Sequence, residues 1–184
     1  MRLALLLSVA TLAGCASSQG SSGSPAPDQT VRIPSSGGGT ATTLSIASST
    51  SAAVKTLPVS MERIWSVLPA VYDSMGIPVM NRDAATHTIG NPSLKIRRRL
   101  ADVPLSRYLE CGDTQGAPSA DSYEILLSMN TTLQSGGADA TTVTTSVDGL
   151  GRPVFVSAEY IHCGSKGGLE KRFFAVLNAE LMRK

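Results

Sequence analysis

The chain has 184 residues, with 16 Lys and Arg against 14 Asp and Glu, a formal net charge of +2, 42% hydrophobic residues and only 4% aromatics. That length suits a leader plus one domain, or two very small domains, and the composition excludes a wholly disordered polyelectrolyte and a fibrous repeat. Nearly balanced charge provides no global field that would demand nucleic acid or an acidic partner.

Arg2 precedes an almost unbroken apolar run from Leu3 to Ala13, interrupted only by Ser8 and Thr11. As a helix, about eleven residues rise roughly 16 Å, half of the ~30 Å hydrocarbon core. The run is too short to span a bilayer but suits the hydrophobic region of a secretory signal peptide. It ends in Leu12-Ala13-Gly14-Cys15. This tetrapeptide resembles the lipobox of bacterial lipoproteins, in which the cysteine is diacylated on sulfur and becomes the mature N-terminus. Ala13 and Gly14 are small enough for a narrow peptidase site; an ordinary signal peptide that happens to contain a cysteine is the competing reading. The resemblance implies that residues 1–14 are removed and that Cys15 is the lipidation site. It implies a membrane anchor without a transmembrane helix, because two or more acyl chains hold stably. Ala16 stands where enterobacterial lipoproteins retained in the inner membrane carry aspartate. The implied location is the outer membrane facing the periplasm, with surface exposure left open.

Residues 15–53 form the acylated N-terminus and a tether of Ser, Gly, Ala, Thr and Pro, in which Asp28 and Arg32 are the only charges. Such a stretch buries too little apolar surface to offset its ordering entropy. As a flexible coil of about 38 residues it reaches roughly 35 Å, enough to hold a domain off the bilayer. An added edge strand at Thr43 to Ile46, or an adhesive low-complexity role, are the alternatives.

Residues 54–184 are expected to form one globular α+β domain. A strand from Val54 to Val59 leads to Ser60 as N-cap and Glu62 in a first helical turn. Ile64, Trp65, Leu68, Val71, Tyr72 and Met75 recur at three- and four-residue spacing, one apolar face of a helix. Gly76 and Pro78 end it, and Pro69 should kink it. Trp65 is expected as a core anchor. Short strands are predicted at Val79 to Asp83, Thr86 to Gly90 and Leu94 to Leu100, a short helix at Pro104 to Cys111, and a polar loop from Gly112 to Asp121. Tyr123 to Leu133, Thr141 to Val147 and Pro153 to Cys163 read as an antiparallel meander, with turns at Gly136-Gly137 and Asp148-Gly149. The third of these strands has apolar residues on both parities, which a bulge or two-sided burial would explain. A closing helix from Leu169 to Met182 presents Leu169, Phe173, Val176 and Leu177 on one stripe.

The expected fold is therefore a single antiparallel sheet with two long helices packed on one face, plus a short helix. The helix around Glu62, Ile64 and Trp65, its exit at Met75-Gly76-Ile77-Pro78 and the strand entered at Asn81-Arg82-Asp83 resemble the helix-grip domains of BamC-type lipoproteins. Those proteins are accessory subunits of the outer-membrane β-barrel assembly machinery and carry two such domains, where this chain has room for one. The resemblance covers about a quarter of the chain and serves as a fold analogy.

Once Cys15 is acylated, Cys111 and Cys163 remain, and an exported chain with an even pair most simply forms a disulfide. A metal site with neighbouring His162, or a reactive thiol, competes with it; a closed zinc site needs about four ligands, and His87 is remote in sequence. No nucleophile elbow, H-E-x-x-H or Walker loop is present, and Asp102, Asp113, Asp121, Glu124 and Glu159 show no pairing that would mark an enzyme. Glu170 stands at a helix start, a structural position for a carboxylate. No cofactor and no metal are expected. The strongest charged feature is Lys95, Arg97, Arg98 and Arg99. Lys95, Arg97 and Arg99 alternate with Leu94, Ile96 and Leu100, and Arg98 breaks the pattern, by lying at an edge or in a bulge. They form either a solvated strand face or a docking surface for an envelope protein complex or anionic lipid; nucleic acid is not an expected partner. The overall expectation is a membrane-anchored envelope lipoprotein with a non-catalytic docking domain. A binder of a small apolar or lipid ligand between sheet and helices is the alternative, and an envelope hydrolase comes third.

Overall fold

The computed structural model describes residues 52–183 and, ahead of them, strands β1 (Gln29–Arg32) and β2 (Thr43–Ile46), which pair antiparallel as a separate two-stranded sheet. The Thr43–Ile46 segment is thus a strand, but it joins β1 and not the main sheet. The apolar leader, Cys15 and the other tether residues up to 51 lie outside the described residues.

A long antiparallel hairpin is the spine of the domain: β11 (Glu124–Gly137) and β12 (Ala140–Arg152). To one side of it lie β4 (Asn81–Asp83) and β5 (Thr88–Arg97), in the order β4-β5-β11-β12. The far side of β12 is shared. Strand β3 (Ala53–Leu57) pairs with its first half, and β13 (Ile161–Ser165) pairs with its second half and then with β8 (Leu109–Glu110). Two small hairpins, β6 (Arg99–Leu100) with β7 (Val103–Pro104) and β9 (Asp113–Thr114) with β10 (Ala117–Pro118), decorate the connections.

Period-two patterning explains the spine. Ile125, Leu127, Met129, Thr131 and Leu133 on β11, with Thr141, Val143, Thr145 and Val147 on β12, are buried, while the residues between them are half-buried on the other face. Helices α1 (Met61–Ser74) and α2 (Gly168–Met182) cover the buried face, packing against each other and against β11 and β12. Ile64, Leu68, Val71 and Tyr72 from α1 meet Leu169, Phe173, Phe174 and Leu177 from α2 in one core, with Tyr72 edge-on to Phe173. Both long helices lie on the buried face, and the opposite face is rich in Ser, Thr and Asn. The mixed α+β architecture with a large antiparallel sheet and two long helices is as the patterning predicts.

Several boundaries differ, each for a physical reason. The predicted strands Thr86 to Gly90 and Leu94 to Leu100 are largely one strand, β5, running through Pro92. A register shift places one extra residue of β5 between the partners of Leu127 and Met129, so the proline sits in a bulge where no ladder hydrogen bond is required. The Asn91 side chain donates to the Pro78 carbonyl (2.8 Å) and accepts from the Ser93 N–H (3.0 Å), closing the bulge. Asp148-Gly149 is not a turn: β12 continues to Arg152. Gly149 and Gly151 serve close packing, since a Cβ at Gly151 would lie 2.9 Å from Cys163 Sγ and from Ile125 Cδ1. The expected short helix at Pro104 to Cys111 is a single 3-10 turn, Leu105–Arg107, because Leu109 and Glu110 are taken by pairing with β13. The expected polar loop from Gly112 to Asp121 holds the β9–β10 hairpin and a second 3-10 turn, Ser119–Asp121. Pro153 to Tyr160 is a loop, not strand; the two-parity apolar pattern marks a segment without a buried face.

Ser60 occupies the N-cap of α1 without a side-chain bond to the helix, Glu62 lies in the first turn and Gly76 follows the end at φ +73°. Pro69 stays inside the helix and, lacking an N–H, leaves the Trp65 carbonyl without its usual donor. The Arg82 guanidinium donates to that carbonyl (3.4 Å) and lies 4.9 Å from the Trp65 ring centre, while His87 meets the ring edge-on. Trp65 is accordingly half-buried at the rim, not the fully buried anchor its spacing predicts.

Candidate functional site

The hairpin register brings together side chains remote in sequence. Glu124 on β11 is opposite Arg97 on β5 and opposite Arg152 on β12, and the next row on the same face aligns Lys95, Leu126, Leu150 and His162. Glu124 is the centre of this end of the open face. Lys95 Nζ lies 3.0 Å from its Oε2 and Arg152 Nη2 3.0 Å from its Oε1, and the Tyr160 hydroxyl donates to Oε1 at 3.4 Å. The Arg152 guanidinium also covers the Tyr160 ring, 4.7 Å from its centre. The hydrogen bond from Lys95 holds the Glu124 carboxyl below its ordinary range against the opposing effect of partial burial, and Arg152 adds to the shift.

Beyond Arg152 the Pro153 to Tyr160 loop curls back toward Glu124, and Glu124, Arg152 and the loop up to Ala158 line a pocket of about 320 Å³. At the loop's tip Phe155 is 94% exposed and Val156 63%, and Tyr160, Ile161 and Leu150 add partly exposed apolar surface beside them. A phenylalanine so fully in water is unusual for a residue type that normally supplies core area.

The basic strand resolves into parts. Lys95 and Arg97 project from the open face, opposite the half-buried Leu94 and Ile96, as alternation predicts. Arg98 adopts φ +66°, the left-handed region, which interrupts the strand and accounts for the break in alternation. Arg99 therefore starts β6, where its Nη1 donates to the Asp102 carbonyl (3.1 Å). Lys95, Arg97 and Arg99 share one end of the domain but not one strand, and Lys95 is engaged by Glu124.

Cys111 and Cys163 are disulfide-bonded, with Cα atoms 4.3 Å apart across 52 residues of sequence. The bond joins the segment after β8 to β13. His162 does not turn toward these sulfurs; its Nε2 pairs with Asp148 at the edge of the open face. Among the described residues no group of three His, Cys, Asp or Glu side chains converges as a metal site. Asp113 lies in the small β9 hairpin, and Asp121 accepts from the Ser106 backbone and hydroxyl, bracing the two 3-10 turns. Glu170, in the first turn of α2, is buried and accepts from Ser165 (2.5 Å). It borders a pocket of about 220 Å³ between β3 and α2, with Val54 and Phe174 among its walls.

Sequence reasoning found the basic run but missed its organising carboxylate. Glu124 counts as one of several scattered acids until the β5–β11–β12 register places two cations against it. The loop's exposed apolar tip was hidden in an apparent strand. The chain matches no protein-family model, and no curated protein is similar enough to match it.

Proposed function

We propose that this is a lipid-anchored cell-envelope protein whose folded domain is a non-catalytic docking module, using the basic end of its open sheet face. The observation that carries the docking reading is the cross-strand cluster of Lys95, Arg97 and Arg152 around Glu124, continued by Arg98 and Arg99. Glu124 orders the cluster at neutral pH without cancelling it, and guanidinium groups in such numbers suit phosphates or carboxylates on an opposing surface. Anchoring at Cys15 and an outer-membrane location rest on Leu12-Ala13-Gly14-Cys15-Ala16. A sheet with two helices is also the arrangement from which the helix-grip analogy starts. By that analogy the domain is an accessory subunit of an outer-membrane assembly. The small-ligand reading has less behind it: the apolar pocket between β3 and α2 measures about 220 Å³, below the ~300 Å³ at which ligand pockets begin.

The test compares the wild type with Cys15→Ala and with the triple variant Lys95→Gln, Arg97→Gln, Arg99→Gln. Cys15→Ala should leave a protein released from membranes by mild salt, and intact mass of the wild type should show acylation. The triple variant should keep its fold, because exposed ion pairs contribute about 0–1 kcal/mol each. Its domain should lose crosslinks to envelope components, most visibly at low salt, where screening is weakest. Unchanged crosslinking in the triple variant overturns the docking surface, and a free thiol at Cys15 overturns the anchor.

A further inference from the structure

We infer that the Pro153 to Tyr160 loop is a membrane-insertion wedge, and that the surface engaged by the basic end of the sheet is an anionic lipid bilayer. The inference rests on the docking reading and names its partner. Three observations meet at one place. The tip, Phe155 and Val156, holds bulky apolar groups in water, with the ring of Phe155 almost wholly uncovered. Behind the tip stands an aromatic with a polar end, Tyr160, its ring covered by Arg152 and its hydroxyl on Glu124; tyrosine so placed suits the headgroup level, where one end is dry and the other wet. Beside it lie Lys95, Arg97 and Arg152 around Glu124, with Arg98 and Arg99 following Arg97 in the chain, and these five cations outnumber the carboxylates on the same segments, Asp102, Glu124, Asp148 and Glu159.

An apolar tip ringed by cations is the pattern of peripheral bilayer binding. Burial of the tip below the headgroups supplies the hydrophobic part, and anionic lipids attract the ring. A protein partner would more naturally meet a preformed groove or a flat polar face than a single protruding phenylalanine. Geometry keeps the parts together: Arg152 leads directly into the loop, and Phe155 and Val156 line one pocket with Glu124 and Arg152, so the apolar tip and the charged cluster are neighbours.

Phe155→Trp is the reporter. The wild type, whose only tryptophan is Trp65 on α1, provides the blank. The acylated full chain is reconstituted on phosphatidylglycerol vesicles and on phosphatidylcholine vesicles, which hold it at equal surface density through the anchor. On phosphatidylglycerol the added emission should shift to the blue and be quenched by bromine on the acyl chains; on phosphatidylcholine it should stay close to its position in water. Adding Arg97→Gln, Arg98→Gln and Arg99→Gln should lower the inserted fraction on phosphatidylglycerol, by on the order of 100-fold in the partition constant. Emission that stays water-like on phosphatidylglycerol overturns the wedge, and with it leaves the loop to a protein partner. Equal insertion on both vesicles overturns the role of the cations. Failure of the anchor is a separate result: the chain would not float with phosphatidylcholine vesicles at all. Since Phe155 touches water and not the core, the reporter substitution leaves folding intact.

Discussion

Replacing both half-cystines, Cys111→Ala with Cys163→Ala, opens a loop of 52 residues that contains the β9–β10 hairpin and the entire β11–β12 spine. For a loop of that length the chain-entropy relation gives about 4 kcal/mol at 25 °C. Both cysteines are buried against the core, Cys163 completely, so the loss of two sulfurs' packing adds to the entropic effect. A domain of this size has a total stability of about 5–15 kcal/mol, so the variant should retain a fold but lose a large share of its margin. Urea titration followed by Trp65 fluorescence measures this directly. With a slope of about 2 kcal/mol/M the midpoint should fall by about 2 M, and the slope should rise slightly as the untethered chain exposes more surface. Reduction of the wild type should reproduce the variant's midpoint. A shift of less than about 0.5 M would refute the argument, because it would mean that the spine is already closed in the denatured ensemble or that the bond is absent from the native protein.

Two further outcomes follow from buried and clustered groups. The Tyr72 hydroxyl lies 3.2 Å from the Ile89 carbonyl and 3.0 Å from the Thr131 hydroxyl, and Thr131 donates onward to Thr145. Tyr72→Phe should therefore destabilise by about 1–3 kcal/mol, read as a lower thermal midpoint. Burial pushes the Tyr72 phenol above its ordinary value of 10.0. The folded state therefore keeps a proton that the unfolded state releases, and stability should fall as pH rises past that value, less steeply in Tyr72→Phe. Glu124 behaves oppositely. Its carboxyl is held below the ordinary 4.5, so its contribution is present above that pH and is lost as pH falls through the folded value. Glu124→Gln should flatten the acid limb of the stability curve and change little at alkaline pH; an unaltered acid limb would remove the cluster from the account.

Sequence by itself determined the elements whose signals are local and repeated. Three- and four-residue spacing marked α1 and α2, because a helix shows its neighbours one face at a 3.6-residue period. Gly76 marked the exit of α1 because only glycine takes φ +73° without strain. Cys111 and Cys163 were legible as a pair because they are the two cysteines of the folded segment, and the expectation of export made a disulfide their simplest outcome. Only tertiary structure decided what depended on contacts between distant residues. Pro92 and the glycines at 149 and 151 look like breakers locally, yet lie inside strands because a bulge accommodates one and close sheet packing requires the others. Trp65 packs against the core but is only partly buried, and Arg82 and His87, remote in sequence, meet its ring at the rim. The Glu124 cluster and the water-exposed Phe155 became visible last, for the same reason. Register over three strands sets which charges meet, and burial sets which apolar residues are left outside, and neither quantity exists in a window of neighbouring residues.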